Sequence, residues 1–378
     1  MKKGLVRSLA VIVIGCATLG VAGTSIVLHL STEMPAEVSL QAVAVSLPEI
    51  SEPEPEPPSG NVTLALGGDV MMGDLFGEAV KSNGADYPWK QISPILSGAD
   101  LAMVNLETCV SDRGASTKPE GFGFQSLPAT LKGFQSAGID LVVGANNHSM
   151  DYGKDAFFDT MLHLDQAGIA YAGIGKNAAE ARQVRVFEKN GLKVGVVAYN
   201  QIIPAGSWIA REDSPGQAAL TQERLPQVLE EIAQARKQCD YLVVYLHWGQ
   251  EYVDTPSAWQ TTAARKMLDA GADLIAGCHP HVTQGIEFYR GKPILYSMGN
   301  FLFLKRDDDA GKTAVFELTI NKDGFVSGKL YPFFISGCRG NLLGPDDAMY
   351  GEVIHRIGTL SSGMGTMVTP DGQFYAVS

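Results

Sequence analysis

Five apolar runs in this chain each break off at a residue that binds metals or moves protons. Val62-Thr63-Leu64-Ala65-Leu66 leads into Gly67-Gly68-Asp69, and Leu101-Ala102-Met103-Val104-Asn105-Leu106 leads into Glu107. Residues 139–143 lead into Gly144-Ala145-Asn146-Asn147-His148, residues 241–246 into His247, and residues 272–277 into Cys278-His279-Pro280-His281. Short runs of this kind, rich in β-branched and apolar residues, read as buried strands. Between them lie helical patterns at 127–138, 155–167, 225–238 and 261–270; Leu225, Val228, Leu229 and Ile232 fall on one helix face. Strands alternating with helices predict an α/β fold. In open α/β sheets ligands bind at the carboxyl ends of the strands. The five polar heads are therefore expected on one edge.

Taken alone, Asn-Asn-His fits ordinary turn chemistry, and a single Asp after a strand fits a helix cap. The remaining strand ends tip the balance toward a site. The chain has seven histidines, and four of them, His148, His247, His279 and His281, stand at these ends. Neither His163, within a predicted helix, nor His355, in a predicted helix at 346–360, belongs to the pattern.

Further strands are expected at 169–175, 184–187, 192–199 and 293–295. Residues 314–320 and 325–335 form a hairpin around Asn321-Lys322-Asp323-Gly324. A last hairpin is expected within 366–377. Residues 111–126, rich in Gly, Ser and Lys, read as a loop that covers the site.

The first 60 residues are of a different kind. Lys2, Lys3 and Arg7 precede an apolar run over about 8–30, long enough to cross a bilayer as a helix. The basic flank, with Glu33 and Glu37 beyond, places the N-terminus in the cytoplasm and the rest outside. A cleaved signal peptide and a lipoprotein signal ending at Cys16 are the rival readings; all three export the domain. Glu-Pro repeats at 52–58 make residues 31–60 a stiffened tether. The expected organisation is anchor 1–30, tether 31–60, a domain over 61–340, and an extension over 341–378 packing on it. The expected location is the cell membrane, single-pass, with the domain on the extracytoplasmic side.

A net charge of -12 excludes the clustered basic face that a nucleic-acid partner requires. Cys16, Cys109, Cys239, Cys278 and Cys338 form no CxxC pair, which excludes a zinc ribbon; most read as buried thiols. Oxygen and nitrogen donors without thiolate suit Zn, Mn or Fe. Two such ions can clamp a phosphate and activate water.

Six ordered motifs also carry a family resemblance: Gly67-Gly68-Asp69-Val70-Met71-Met72-Gly73, Asn105-Leu106-Glu107, Ala145-Asn146-Asn147-His148, His247-Trp248-Gly249-Gln250-Glu251-Tyr252, Gly277-Cys278-His279-Pro280-His281 and Ser297-Met298-Gly299-Asn300-Phe301. Over roughly residues 61–305 the chain resembles the CapA family of bacterial capsule (poly-γ-glutamate) synthesis, whose fold is similar to calcineurin-like metallophosphoesterases. The resemblance implies a sandwich of two mixed β-sheets flanked by helices, following the N-terminal transmembrane helix. It implies one or two divalent ions (Mn, Zn or Fe) held by Asp69, Glu107, Asn147, His247, His279 and His281, with His148 as general acid. Asn105, Asn146, Glu251 and Asn300, in the same motifs, are the expected substrate contacts. The phosphoesterases carry Asp-x-His in the first motif, whereas Met71 stands here, so the first metal position loses a ligand. Glu107 in place of a bridging Asp adds a methylene.

The function this implies is metal-dependent hydrolysis of a phosphoester or amide-type bond during synthesis or export of a capsule polymer. The expected partners are the polymer or its precursor, the membrane, and a polymer synthetase or export complex. A non-catalytic subunit that binds metal or polymer is the alternative, motivated by Met71.

Overall fold

The apolar runs become the inner strands of two stacked sheets. A computed structural model describes residues 60–118, 122–305 and 307–377, with two further short strands, Ser25–Val27 and Val43–Val45, that pair antiparallel. Most of the predicted anchor and tether lies outside the described residues. Ser25–Val27, which the anchor reading included, is extended rather than helical. Among the described residues no helix is long and apolar enough to cross a membrane.

In the larger sheet, Val62–Val70, Leu101–Leu106, Leu141–Val143 and Ala170–Ala172 run parallel and side by side. The hairpin of Lys312–Asn321 and Gly324–Ser336 joins antiparallel beside Val62–Val70, and Thr366–Val368 with Gln373–Ala376 completes that flank. The smaller sheet holds Leu192–Asn200, Tyr241–His247, Leu274–Cys278 and Lys292–Leu295 in parallel. Its edges, Arg185–Lys189 and Ile286–Tyr289, are antiparallel.

Side chains alternate along each strand, and both faces are used. Leu64, Leu66, Leu101, Met103 and Leu141 meet Val194, Val196, Val243, Tyr245 and Leu274 between the sheets. Facing outward, Val244, Leu246 and Ile275 pack under helices Leu225–Ala235 and Ala258–Asp269. On the opposite side, Ala102, Val104 and Val142 pack under Leu131, Phe134 and Leu164. Burial on both faces explains why these strands read as continuous apolar runs. Each fully buried Val, Leu or Phe contributes on the order of 1.5–3 kcal/mol. The structure is thus an α/β sandwich of two mixed sheets flanked by helices.

Several boundaries differ from the sequence reading. The first strand does not stop at Leu66 but runs through Gly67-Gly68 to Val70. Those glycines look like breakers; here they allow a close approach of backbones. A Cβ on Gly68 would lie 1.7 Å from the Gly299 carbonyl oxygen, and one on Gly67 would lie 2.5 Å from the Phe301 ring. Asn300–Leu302 can therefore pair with the strand's end, placing Asn300 opposite Asp69. The register with Leu101–Leu106 shifts between Leu66 and Asp69, bringing Asp69 opposite Asn105.

Helix Ala258–Asp269 begins three residues earlier than expected because Ser257 and Gln260 form a reciprocal capping box. The strand expected over 169–175 breaks at Gly173, which has φ 84°, into Ala170–Ala172 and Ile174–Gly175. The helix expected at 225–238 ends at Ala235 and continues as a 3-10 turn, Arg236–Gln238. Cys109, Cys239, Cys278 and Cys338 are free thiols, the first three buried.

Candidate metal centre

The carboxyl ends of both sheets open toward each other, so side chains distant in sequence meet. Asp69 lies in the last turn of pleat of its strand, and Glu107 follows Leu101–Leu106 directly. His247 ends its strand, while His279 and His281 follow Leu274–Cys278. Both histidines have positive φ, 96° and 58°, a region that non-glycine residues rarely occupy and that marks stored strain.

Glu107 sits at the middle of the cluster and is wholly buried. Its Oε1 lies 3.6 Å from His247 Nε2, 3.8 Å from His148 Nε2 and 3.9 Å from His281 Nε2. These separations exceed hydrogen-bond length, and neither Glu107 oxygen has a hydrogen-bond partner. His279 Nδ1, also buried, has none either. Donor atoms of Asp69, Glu107 and His247 lie within 4.8 Å of one another, as do those of Glu107, His279 and His281. Ligands held roughly 2.0–2.2 Å from one Zn ion lie about 3–4 Å apart. A buried carboxylate without donors, ringed by imidazoles at that spacing, fits a shared divalent cation.

The remaining bonds orient these groups. Asp69 accepts from Asn105 Nδ2 at 2.7 Å and from the His279 amide at 3.1 Å. His281 Nδ1 lies 2.8 Å from Asn300 Oδ1, which places a proton on Nδ1 and leaves Nε2 for the centre. His247 Nε2 and Asn147 Oδ1 are 2.7 Å apart, directed at one another.

Electrostatics agree with the geometry. Burial, reinforced by neighbouring Asp69, holds Glu107 well above the ordinary carboxylate range. Burial raises Asp69 too, partly offset by His281 and its hydrogen bonds. Burial drives His247 well below the usual imidazole range and pulls His279 down to about 3. Buried carboxyls raised beside imidazoles lowered form a pocket short of positive charge, and a bound cation would draw the carboxyls back toward their ordinary range.

His148 stands at the rim. The turn that carries it closes on Asn146, whose Oδ1 accepts the His148 amide at 3.0 Å. His148 Nδ1 is 2.6 Å from Asp151 Oδ2, and Phe124 stacks on its ring with centroids 4.1 Å apart. Burial lowers the His148 pKa, partly offset by Asp151. Over the ring opens a cleft of ≈ 330 Å³ lined by Met71, His148, Glu251, Tyr252, His281 and Phe303, among others.

All six expected metal-binding side chains and His148 are brought together. Of the four expected substrate contacts, only Glu251 lines the cleft, exposed at its wall. Asn105, Asn146 and Asn300 are not among the residues lining the cleft. They are buried, and their amides are spent on Asp69, Leu106 O, Ala310 O and one another. Met71 is buried, its Sδ 3.1 Å from the Gly73 amide. The reading missed Asp151, Lys118 and Phe124. Asp151 carried a signal, lying three residues after His148 in one turn; Lys118 and Phe124 lie in the 111–126 loop expected to cover the site, where nothing singled out these two residues.

A family model described as bacterial capsule synthesis protein PGA_cap matches residues 63–305. The chain is 32% identical over 272 residues to a capsule biosynthesis protein CapA of Bacillus anthracis, covering 71% of this chain and 66% of that one. It therefore spans just under two thirds of that relative. A probable polyglutamine synthesis accessory protein of Mycobacterium tuberculosis is 28% identical over 279 residues, covering 63% of this chain and 73% of that one. Among solved structures, the NAD nucleotidase of Haemophilus influenzae matches with TM-score 0.43 and 11% identity, covering 78% of this chain and 62% of that one, a likeness too weak to argue from.

Proposed function

The chain belongs to the bacterial capsule synthesis protein family PGA_cap, and from that premise we propose that it is a metal-dependent hydrolase acting on a phosphoester or amide-type bond in a capsule polymer of poly-γ-glutamate type, or in its precursor. The observation that carries this reading is Glu107: buried, without a donor on either oxygen, and faced by the Nε2 atoms of His148, His247 and His281. Asp69, Glu107, Asn147, His247, His279 and His281 would hold the ion, and their oxygen and nitrogen donors suit Mn, Zn or Fe. Such an ion, when bound, supplies Lewis-acid polarisation of the scissile group and makes water easier to deprotonate.

The chain's own residues do the rest. Asp151 accepts the hydrogen bond from His148 Nδ1–H, which fixes the ring and turns Nε2 toward the centre. From Nε2 a protonated His148 delivers a proton to the leaving group. Phe124 covers one face of that ring and keeps water from it. Glu251 meets substrate in the cleft. Supported by the apolar run and Glu-Pro repeats, the domain would stand outside the membrane on a single-pass anchor. A synthesis or export complex is the fitting partner, since one relative is named as an accessory protein.

Full-length protein reloaded with Mn or Zn should cleave model phosphoesters or γ-glutamyl amides. His148→Ala should lose about 10²–10⁴-fold in rate while keeping its ion, and Asn147→Ala should bind the ion more weakly. Equal rates in wild type and both variants would sink the proposal. One observation favours a second reading, a non-catalytic metal- or polymer-binding subunit. Met71, standing where the resemblance expects a histidine, has its sulfur engaged by the Gly73 amide and offers the first position no ligand. A folded protein that turns over no substrate, with or without added metal, yet binds the metal or the polymer would establish it.

A further inference from the structure

Asp151 is a wholly buried carboxylate in a site that already holds Asp69 and Glu107. On its own turn its carboxylate faces His148 Nδ1, which is charged only while that ring is protonated. Its other partners come from a single loop, about thirty residues earlier in the chain. Lys118 Nζ lies 3.1 Å from Asp151 Oδ1, 2.7 Å from the Asn147 carbonyl and 3.3 Å from His148 Nδ1. The Phe124 amide donates to Asp151 Oδ2 at 2.9 Å, and the Thr117 amide donates to the Asp151 carbonyl at 2.6 Å. Lys118 Nζ also sits 5.8 Å from the Trp208 ring centroid, at the end of the 3-10 turn Gly206–Trp208.

We infer that Lys118 is a positioning residue for the His148–Asp151 pair: seated under Trp208, its ammonium holds Asp151 in the one orientation that lets Oδ2 accept the hydrogen bond from His148 Nδ1–H. The inference rests on the reading of His148 as proton donor. The physical reason is charge. A buried carboxylate left without a cation turns toward water or takes up a proton, and either change breaks the 2.6 Å bond to His148. Phe124 alone cannot replace Lys118, because a backbone amide carries no net charge. Asn147 is drawn in as well, since its carbonyl accepts from the same ammonium.

The test compares full-length wild type with Lys118→Met and Lys118→Arg. The first readout is the ¹H resonance of His148 Nδ1, assigned by its loss in His148→Gln, in chelator-treated and Zn-loaded protein. A 2.6 Å charge-assisted bond places it far downfield of ordinary ring protons. It should be present in wild type and Lys118→Arg and absent in Lys118→Met. The second readout is turnover: kcat should fall about 10–100-fold in Lys118→Met, with KM and metal content unchanged, and recover most of the way in Lys118→Arg. A Lys118→Met protein that keeps the downfield resonance overturns the inference whatever its activity. Wild type without turnover would refute the hydrolase reading and leave the resonance to decide the role of Lys118. Should Lys118→Met not fold, loss of the resonance in folded Lys118→Arg would overturn the inference and its retention would support it.

Discussion

Removing the Glu107 carboxyl should have opposite effects with and without metal. In metal-free protein this carboxyl is buried beside Asp69 with both oxygens unpartnered. Leaving a buried polar group unsatisfied costs about 1–3 kcal/mol. Glu107→Gln keeps the shape, removes the ionisable proton, and brings an amide that can donate to Asp69. The metal-free variant should therefore be more stable than metal-free wild type by about 1–3 kcal/mol.

The pH dependence has a definite sign. Glu107 has its folded pKa raised above the ordinary 4.5, so the unfolded chain gives up this proton first. Wild type then loses stability as pH rises from 4.5 toward the raised folded value. The variant lacks this loss, so its advantage grows over that window and levels off above it. With metal the order reverses. An ion at about 1,000 times its Kd stabilises the folded state by roughly 4 kcal/mol, worth on the order of 8–16 °C in Tm at about 2–4 °C per kcal/mol. Glu107→Gln, having lost the ligand common to both triads, should show little of that gain. The assay is calorimetric unfolding of both proteins between pH 5 and 8, after chelation and after adding Zn or Mn. If metal-free Glu107→Gln is the less stable protein at pH 8, or keeps the full metal-induced gain, the account of Glu107 as an ion-seeking carboxylate is wrong.

Two further outcomes test the frame around the site. Gly68→Ala should prevent folding or cost more than about 4 kcal/mol, because the new Cβ would fall 1.7 Å from the Gly299 carbonyl oxygen; soluble protein with a Tm close to that of wild type would refute this. Asp159, bonded to Arg113 and Ser111, has its pKa pulled down to about 2, chiefly by Arg113. Asp159→Asn should therefore be less stable than wild type above the ordinary value of 3.8, and the gap should close as pH falls through about 2; a gap that stays constant down to pH 2 would show that the carboxylate's charge is not what matters.

How much was legible depended on what each residue answers to. That Asp69, Glu107, Asn147, His148, His247, His279 and His281 would lie close together was legible because strand ends in an α/β fold converge wherever the helices lie. Which asparagines are buried in hydrogen bonds around the site was not legible. Asn105 bridges Asp69, 36 residues away, and His247, 142 residues away, and no local pattern encodes a bridge between two sheets. The extent of the first strand was missed because glycine reads as an interruption unless the strand pressing on it is known. Lys118 was missed because a cation in an aperiodic loop looks like any solvated lysine until the carboxylate it neutralises is in place.

Met71 shows how local reading and fold must be combined. Read locally, it is a lost ligand. In the fold it is a buried wall of the cleft, its sulfur engaged by the Gly73 amide. Removing a donor there leaves Glu107, His279 and His281 as a complete triad and leaves Asp69 bonded to Asn105 and the His279 amide. The ion held by Glu107, His279 and His281 should therefore bind tightly, and any second ion weakly, so titration of chelated protein should show one strong site. Restoring a histidine by Met71→His should strengthen the second, while two equally tight sites in wild type would show that Met71 costs the centre nothing.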